Sequence, residues 1–182
     1  LKELESFIQQ EFPGVQSKVY VDTGPVLEKP LAQKAGLGWV GKHTNLVTEG
    51  IGSWYFLSEI LLDIELPVSE EAVDRCGTCR DCIDICPTQA IVAPYVLDSR
   101  KCISYLNIEL KGVIPVEFRK AIGNRIYGCD DCQIVCRWNS FASITYEKAY
   151  LEKTDTNRLI DLMQLDDEGF RARFRKSPIN RL

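Results

Sequence analysis

The sequence is short of several residue types and patterns that define other classes of protein. It has one histidine and one methionine among 182 residues, so a metal centre built from several histidines is excluded. No apolar run reaches the roughly 18 residues of a transmembrane helix, and the opening LKELESFIQQ lacks the apolar core of a signal peptide. The net charge of −4 does not indicate nucleic-acid binding by the chain as a whole. We therefore expect a cytoplasmic protein without a membrane segment.

Cysteine is the residue type that is unusually placed. The chain has eight cysteines, and all of them lie between Cys76 and Cys136. A secreted protein stabilised by disulfides would be shorter, with its cysteines spread along the chain. We therefore interpret the cysteines as reduced, and as ligands of metal centres.

The rest of the composition is that of an ordinary folded protein, with 45% apolar and 26% charged residues. Apolar residues at helical spacing predict a helix over 1–12, so the chain is expected to be a fragment that opens inside a helix. We predict an α+β fold with three parts, in which the cysteines form the middle part and helices over 156–164 and 167–174 form the last. The three parts are residues 1–70, 71–140 and 141–182.

The first cysteine motif is Cys76-x2-Cys79-x2-Cys82-x3-Cys86-Pro87. This is the bacterial ferredoxin run, in which three closely spaced thiolates hold one [4Fe-4S] cluster and the fourth cysteine ligates a second cluster. A zinc site needs only four ligands in two pairs, and would leave four of the eight cysteines unexplained. Iron–sulfur clusters are the favoured interpretation, with zinc or disulfides as the alternatives.

The other four cysteines complete the ligand count. With the first motif they provide eight thiolates, the number that two [4Fe-4S] clusters require. The second motif is Cys129-x2-Cys132-x3-Cys136, and Cys102 lies alone between the two motifs. If the last cysteine of each motif crosses to the other cluster, the first cluster is held by Cys76, Cys79, Cys82 and Cys136. The second cluster is then held by Cys86, Cys102, Cys129 and Cys132. Cys102 is separated from Cys129 by an insertion that a simple ferredoxin does not have.

A glycine-rich segment, GLGWVG over residues 36–41, matches the spacing of a dinucleotide-binding fingerprint. That motif requires a strand before the first glycine, whereas the preceding PLAQKA is helical in character. The segment also resembles a phosphate loop, but His43 stands where that loop needs serine or threonine. Two interpretations remain open, a turn that ends a helix or a backbone that approaches a cofactor closely.

Asp22 and His43 are the other candidates for chemistry. Asp22 follows a strand predicted over 19–21 and precedes Thr23-Gly24-Pro25, which predicts a helix start. Aspartate at this place is more often a turn or capping residue, although α/β proteins also collect catalytic groups there. His43, the only histidine, is by default a hydrogen-bonded structural residue.

Several segments, in the same order, resemble epoxyqueuosine reductase. They are VDTGPVLEKPLAQKAGLGWVGKHTNLV, the ferredoxin run, RKCISYLNIELKG, AIGNRIYGCDDCQIVCRWN and, more weakly, the closing SPINRL. The resemblance implies a partial nitroreductase-like cobalamin domain, a ferredoxin-like domain with two [4Fe-4S] clusters, and the start of helical repeats. The implied activity is that of an oxidoreductase, which reduces epoxyqueuosine to queuosine at the wobble position of tRNA with cobalamin as cofactor.

The resemblance also assigns roles to individual residues. Asp22 matches the family's proposed proton donor beside the cobalt. The residues implied to contact cobalamin are Asp22, Gly38, Gly41, His43, Asn45, Ser104 and Asp130. Arg137 stands where the family has proline, which puts the turn after Cys136 in question.

Two other functions remain alternatives. A cobalamin reductive dehalogenase would share the cofactors, but it carries an export signal and a tyrosine proton donor. A simple electron-transfer module would not require Asp22, the glycine-rich segment or the insertion after Cys102.

The implied partners are a tRNA anticodon loop carrying epoxyqueuosine and a low-potential electron donor, and the chain is expected to be a monomer. Binding to phosphates depends on the local density of Lys and Arg more than on net charge. We expect tRNA to contact two basic groups of residues. The first is the tail with Arg171, Arg173, Arg175, Lys176 and Arg181, and the second contains Lys111, Arg119, Lys120 and Arg125.

Overall fold

The computed structural model describes residues 1–148 and 158–181. Its helices are α1 (Lys2–Glu11), α2 (Glu28–Lys34), α3 (Asp81–Asp84), α4 (Ile103–Ile108), α5 (Val116–Ile122), α6 (Asp131–Ile134), α7 (Leu159–Leu162) and α8 (Asp167–Arg173). Its strands are β1 (Ser17–Tyr20), β2 (Trp39–Val40), β3 (Leu46–Val47), β4 (Glu59–Leu62), β5 (Ile91–Ala93) and β6 (Val96–Leu97). Short 3-10 helices cover Ser99–Lys101, Arg137–Phe141 and Pro178–Arg181. This mixture of helices and strands agrees with the predicted α+β class.

The strands of the described residues pair into three antiparallel sheets of two strands each. β1 pairs with β4, with Ser17 opposite Leu62, and β5 pairs with β6. β2 and β3 form a tight hairpin in which Trp39 lies opposite Val47. The hairpin lies in the core, to which α4 and β5 also contribute buried side chains. The buried apolar residues of this core include Trp39, Leu46, Val47, Ala90, Ile91, Ile103 and Leu106.

The glycine-rich segment forms the entry to the hairpin. Gly36 has a φ of +74° and follows α2, so the interpretation as a turn that ends a helix holds for this residue. A Cβ at Gly38 would overlap the carbonyl oxygen of Val47. The close approach that glycine permits here is therefore an approach of the chain to itself, and the predicted contact of Gly38 with cobalamin stays a prediction.

The helix start predicted at Thr23-Gly24-Pro25 is wrong. α2 begins at Glu28, because an earlier start would place Pro30 in the helix interior, where proline removes a hydrogen bond and clashes with the preceding turn. Residues 21–25 instead turn back on β1. The Thr23 N–H donates to the Val21 carbonyl (2.6 Å).

The C-terminal region contains α7 and α8, close to the two predicted helices. Of the helix predicted over 156–164, residues 156 and 157 lie outside the described residues. α8 begins after Asp166, whose carboxylate accepts a hydrogen bond from the Gly169 N–H (2.8 Å) and caps the helix. No helix in the described part of the chain is long and apolar enough to span a bilayer.

A buried amide joins the N-terminal part of the chain to the end of the cysteine region. Asn139 Oδ1 accepts a hydrogen bond from the Ser53 backbone N–H (2.6 Å). Asn139 Nδ2 donates to the Gln133 carbonyl (2.7 Å) and to Ser53 Oγ (2.9 Å). Gly52 lies so close that a Cβ there would overlap Asn139 Oδ1. The contact therefore holds the loop after β3 against the second cysteine motif.

Replacing Asn139 with alanine tests the strength of this contact. The Ser53 N–H and the Gln133 carbonyl would each lose a partner, at about 1–3 kcal/mol for each buried group. We expect the free energy of unfolding of Asn139→Ala to fall by about 2–4 kcal/mol, measured by anaerobic urea denaturation. The control is Ser140→Ala, whose exposed hydroxyl donates to the Arg137 carbonyl (2.7 Å). Similar losses in the two variants would contradict the assignment.

Candidate iron–sulfur centre

The two cysteine motifs fold into the same local structure. α3 follows Arg80 (φ −130°, ψ 4°), and α6 follows Asp130 (φ −113°, ψ 9°). Each helix is a single turn that ends on a residue with αR geometry directly before a cysteine. The two turns pack against each other. This contact brings two motifs that are far apart in the sequence into one region.

Two cavities divide the eight cysteines into two sets. We call the cysteines of the smaller cavity the first set, which consists of Cys76, Cys79, Cys82 and Cys136. The larger cavity, of about 320 Å³, is lined by the second set, which consists of Cys86, Cys102, Cys129 and Cys132. The structure thus brings together the same groups of four that the crossing rule predicts. Ligation of a cluster by each set stays a prediction.

Burial and the neighbouring sulfurs disfavour free thiolates in both sets. Burial first, and then the charges of the other sulfurs of its set, raises the pKa of Cys82 to about 11. The same causes raise the pKa of Cys132 to about 12, and here the charge of Cys82 also acts. A cationic centre that binds the sulfurs as thiolates would therefore displace protons. The effect of Cys82 on Cys132 also indicates that the two sets are neighbours.

The insertion that displaces Cys102 is held against the second motif by a pair of hydrogen bonds. Asn107 of α4 donates from Nδ2 to the Gly128 carbonyl (3.2 Å), and its Oδ1 accepts from the Gly128 N–H (3.0 Å). Gly128 directly precedes Cys129. Cys102, at the start of α4, is thereby placed beside the cysteines that follow the insertion.

The turn after Cys136 keeps the form of the turn after Cys86, although Arg137 replaces proline. Cys136 has extended backbone angles (φ −66°, ψ 119°). The Asn139 N–H donates to the Cys136 carbonyl (2.9 Å), as the Gln89 N–H donates to the Cys86 carbonyl (3.1 Å). Arg137, at the place where the first motif has Pro87, therefore leaves this turn intact.

Lys42 fixes the loop of the first set, and sequence reasoning missed this role. Its ammonium donates to the carbonyl oxygens of Gly77 (2.5 Å) and Cys79 (2.8 Å), and the residue is 8% exposed. A buried cation needs such partners. The signal in the sequence was the place of Lys42 directly after Gly41, which is the lysine position of a phosphate loop.

His43 lies between the two sets, since it lines both cavities. Its Nδ1 accepts a hydrogen bond from the Asn45 backbone N–H (3.1 Å). Its Nε2 is buried and has no hydrogen-bond partner among the described residues. Burial, followed by the charge of Lys29, lowers the pKa of His43 to about 4, so the ring is neutral near pH 7.

Trp39 Nε1 is a second buried donor that makes no full hydrogen bond in residues 1–148 and 158–181, and it lies beside the sulfur of Cys76, where its N–H group acts to lower the pKa of the thiol. An unpaired buried donor costs about 1–3 kcal/mol, so Trp39 and His43 together indicate that a group with acceptor atoms belongs here. The sulfurs of an iron–sulfur cluster accept such hydrogen bonds. The donor set of eight thiols and two N–H groups therefore fits clusters. Within the described ranges, no three His, Cys, Asp or Glu side chains are arranged to bind one metal ion.

The larger cavity also contains most of the residues that the resemblance assigns to cobalamin. Its lining includes His43, Asn45, Ser104 and Asp130. Asp22, Gly38 and Gly41 are outside this lining.

Lys29 also lines the larger cavity, although no feature of the sequence predicted this position. Its ammonium donates to the Thr44 carbonyl (2.9 Å) and to Asn45 Oδ1 (3.2 Å), and so orients the Asn45 side chain.

Asp22 lies on an exposed loop between β1 and α2. Its φ of +60° is uncommon for a residue other than glycine. Its backbone N–H donates to Glu28 Oε1 (2.8 Å). Glu28 precedes Lys29, which lines the larger cavity, so Asp22 lies at the end of α2 that is nearest to this cavity.

Known proteins with the same features identify the family. Residues 75–139 match the 4Fe-4S double cluster binding domain. Over its whole length, the chain is 52% identical to the epoxyqueuosine reductase of Xanthomonas campestris and 50% identical to that of Vibrio cholerae. The chain belongs to the epoxyqueuosine reductase family.

The matched region is only part of each of these epoxyqueuosine reductases. The chain covers 52% of the Xanthomonas protein and 50% of the Vibrio protein, about half the length of the curated relatives it matches. It is also similar to a crystal structure of epoxyqueuosine reductase with a tRNA-Tyr epoxyqueuosine-modified tRNA stem loop. The TM-score is 0.88, with 33% sequence identity, over 98% of this chain and 50% of that one.

Replacing Lys42 tests whether this family member needs the lysine to hold iron. Lys42→Met removes both hydrogen bonds to the first cysteine loop. Loss of a residue that supports metal ligands costs about 10- to 100-fold in metal affinity. We expect a chelator to remove iron from the first set at correspondingly lower concentration, measured by cluster absorbance and iron analysis.

The matched control is Lys34→Met, at an exposed lysine at the end of α2. This variant is expected to resist the chelator like the unchanged protein. Equal chelator sensitivity of the two variants would show that Lys42 does not support the first set.

Proposed function

We propose that the chain is the cluster-binding part of an enzyme that reduces epoxyqueuosine to queuosine in tRNA. The observation that carries the proposal is the arrangement of eight cysteines around two adjacent cavities, one of which also contains four of the seven expected cobalamin contacts. The names of the relatives support it, as does the crystal structure of the similar enzyme with its modified tRNA stem loop. The tRNA substrate agrees with a cytoplasmic location.

The first part of the proposal concerns the ligands. The first set would hold one [4Fe-4S] cluster and the second set the other, so each motif contributes its last cysteine to the other motif's cluster. The second set shares its cavity with the cofactor contacts, whereas the first set lies on the other side of His43. Electrons from a low-potential donor would therefore enter through the first set and leave through the second.

The second part concerns cobalamin. Asn45, Ser104 and Asp130 supply polar groups from three separate segments, namely the β2–β3 loop, α4 and the start of α6. This arrangement fits one wall of a large polar cofactor, and these residues with His43 would hold cobalamin. When bound, cobalamin supplies the cleavage of the carbon–oxygen bond, while the protein supplies position and electrostatics.

Asp22 would act as the general acid of the reaction. Opening an epoxide leaves a negative charge on oxygen, and a positioned carboxylic acid removes this charge by donating a proton. The exposed loop and the positive φ of Asp22 agree with a functional residue, since such backbone strain collects at active sites. Asp22 would therefore hold the proton at its carboxyl group until the substrate oxygen accepts it.

The three parts of the chain take separate roles in this proposal. Residues 1–70 would belong to a nitroreductase-like cobalamin domain, residues 71–140 to the ferredoxin-like domain, and residues 141–182 to the helical region. The two β-sheets and two helices of the first part agree with a fragment of an α+β domain. The cofactor cavity is lined by residues of both the first and second parts, so the domains would act as one unit.

Contact with tRNA is assigned to the basic tail and to part of the second basic group. Arg171 and Arg173 lie in the last turn of α8. In the second group, Arg125 donates to both carboxylate oxygens of Asp131 (2.9 and 2.6 Å) and also to carbonyl groups at the end of α5. Its charge is therefore compensated within the protein, which leaves Lys111, Arg119 and Lys120 for phosphates. The enzyme is proposed to act as a monomer.

Serine substitutions test the proposed ligand sets. We expect Cys86→Ser to leave the same residual electron paramagnetic resonance spectrum as Cys102→Ser, because both cysteines line the larger cavity. Cys79→Ser and Cys136→Ser should share the other spectrum, because both line the smaller cavity. Spectra of the reduced, anaerobically purified variants measure this. If Cys86→Ser instead matches Cys79→Ser, the ligands follow the motifs and do not cross.

Replacing Asp22 tests the catalytic proposal. In the full-length enzyme, Asp22→Asn keeps the shape of the side chain but cannot donate the carboxyl proton. General acid–base catalysis contributes about 10²- to 10⁴-fold in rate, so queuosine formation on epoxyqueuosine-containing tRNA should fall by a factor in this range. Iron content should not change. Glu11→Gln, an exposed carboxyl group at the end of α1, is the control, and equal activity of the two variants would exclude Asp22 as the acid.

A further inference from the structure

The side chain of His43 is held in one orientation by the loop that carries it. The Asn45 N–H donates to His43 Nδ1 (3.1 Å), and the Gly41 N–H donates to the Asn45 carbonyl (2.9 Å). The ring packs on Gly41, since a Cβ at that position would stand 3.2 Å from His43 Cε1. Backbone hydrogen bonds therefore fix both the position and the direction of the imidazole.

The same hydrogen bond fixes the tautomer of the ring. In neutral imidazole one nitrogen accepts and the other donates. Because Nδ1 accepts from Asn45, Nε2 carries the hydrogen. The donor of His43 is therefore Nε2–H, on the side of the ring away from its own loop.

This donor lacks an acceptor in the part of the chain that the structure describes. His43 is 4% exposed and lines both cysteine cavities. An N–H group that is fixed, buried and unpaired is costly unless a bound group accepts its hydrogen bond. In the proposed function, cobalamin contacts the larger cavity alone, whereas cluster sulfurs are the acceptors present in both of the cavities that His43 lines.

We propose that His43 Nε2–H donates a hydrogen bond to a sulfur of one [4Fe-4S] cluster, at the boundary between the two cysteine sets, and raises the reduction potential of that cluster. This inference rests on the proposed binding of two clusters. A hydrogen bond to sulfur stabilises the more negative, reduced form of a cluster, which is why such bonds set cluster potentials. His43 is thus a positioning and tuning residue, and it transfers neither electrons nor protons.

Such a donor would make the two clusters unequal. The two motifs have the same local backbone and each set has four cysteines, so the sulfur ligands alone distinguish the clusters little. A single N–H group directed at one of them would bias the electron toward that cluster. The N-terminal part of the chain would then control electron transfer in the cysteine region through one side chain.

The test compares His43→Leu, which removes the donor, with His43→Gln, whose side-chain amide keeps an N–H group. Both variants and the unchanged chain are reconstituted anaerobically with iron and sulfide, and reductive titrations are followed by electron paramagnetic resonance. We expect His43→Leu to shift the reduction equilibrium of one cluster at least tenfold toward the oxidised form, a fall of 59 mV for one electron. His43→Gln should recover at least half of this shift.

Unchanged potentials of both clusters in His43→Leu, at full iron content, would overturn the inference and indicate that water satisfies the nitrogen. A chain that binds fewer than two clusters without any substitution would instead contradict the proposed function. The two failures are therefore distinguishable by iron analysis of the unchanged chain.

A second measurement does not depend on a substitution. The chain has one histidine, so ¹⁵N-histidine labelling of the untagged protein reports on His43 alone. Pulsed electron paramagnetic resonance of a reduced cluster should detect coupling to this nitrogen and to an exchangeable proton. The absence of both couplings in both clusters would overturn the proposal even if His43→Leu fails to fold.

Discussion

The contact of the β2–β3 hairpin with the cysteine motifs is the constraint on which the site depends. Three side chains of this short segment are buried beside the cysteines, namely Trp39, Lys42 and His43. Each carries a hydrogen-bond donor. Among the described residues, the ammonium donates to two carbonyl oxygens, whereas Trp39 Nε1 and His43 Nε2 make no full hydrogen bond. The hairpin can remain buried because the cysteine region supplies carbonyl groups and, with clusters bound, sulfur acceptors. Without the cysteine region, the hairpin would have unpaired polar groups in the core, and without the hairpin, the cysteine region would have them.

Much of the site could be predicted from the sequence, because the spacing of the cysteines determines where they lie relative to a helical turn. The pattern C-x2-C-x3-C predicts one cysteine before, one within and one after a single helical turn. Both motifs have this form in the structure. The assignment of each cysteine to a cavity follows from the same spacing and the rule of crossing. Cys102 was assigned to the second set by the count of eight ligands, but the contact that places it there, between Asn107 and Gly128 across the insertion, could not be predicted from the sequence.

The residues that reasoning from the sequence missed act through the backbone of distant segments. Lys42 binds two carbonyl groups more than thirty residues away, and Lys29 binds the Thr44 carbonyl and the Asn45 side chain. Carbonyl groups are present at every residue, so the sequence has no pattern that would predict such partners. The start of α2 is a different case, because a helix that begins at Pro25 has Pro30 in its interior, where proline removes a hydrogen bond and clashes with the preceding turn. The sequence therefore contained the signal against the earlier start.

The exchange of cysteines between the motifs has a consequence for how the protein is made. The smaller cavity is lined by three cysteines of the first motif and by Cys136, so it has no complete wall until the ribosome has synthesised the end of the second motif. Until then, a nascent chain presents an open, three-thiol site. A cluster bound by the first set would therefore receive its fourth thiol only when the whole region is complete.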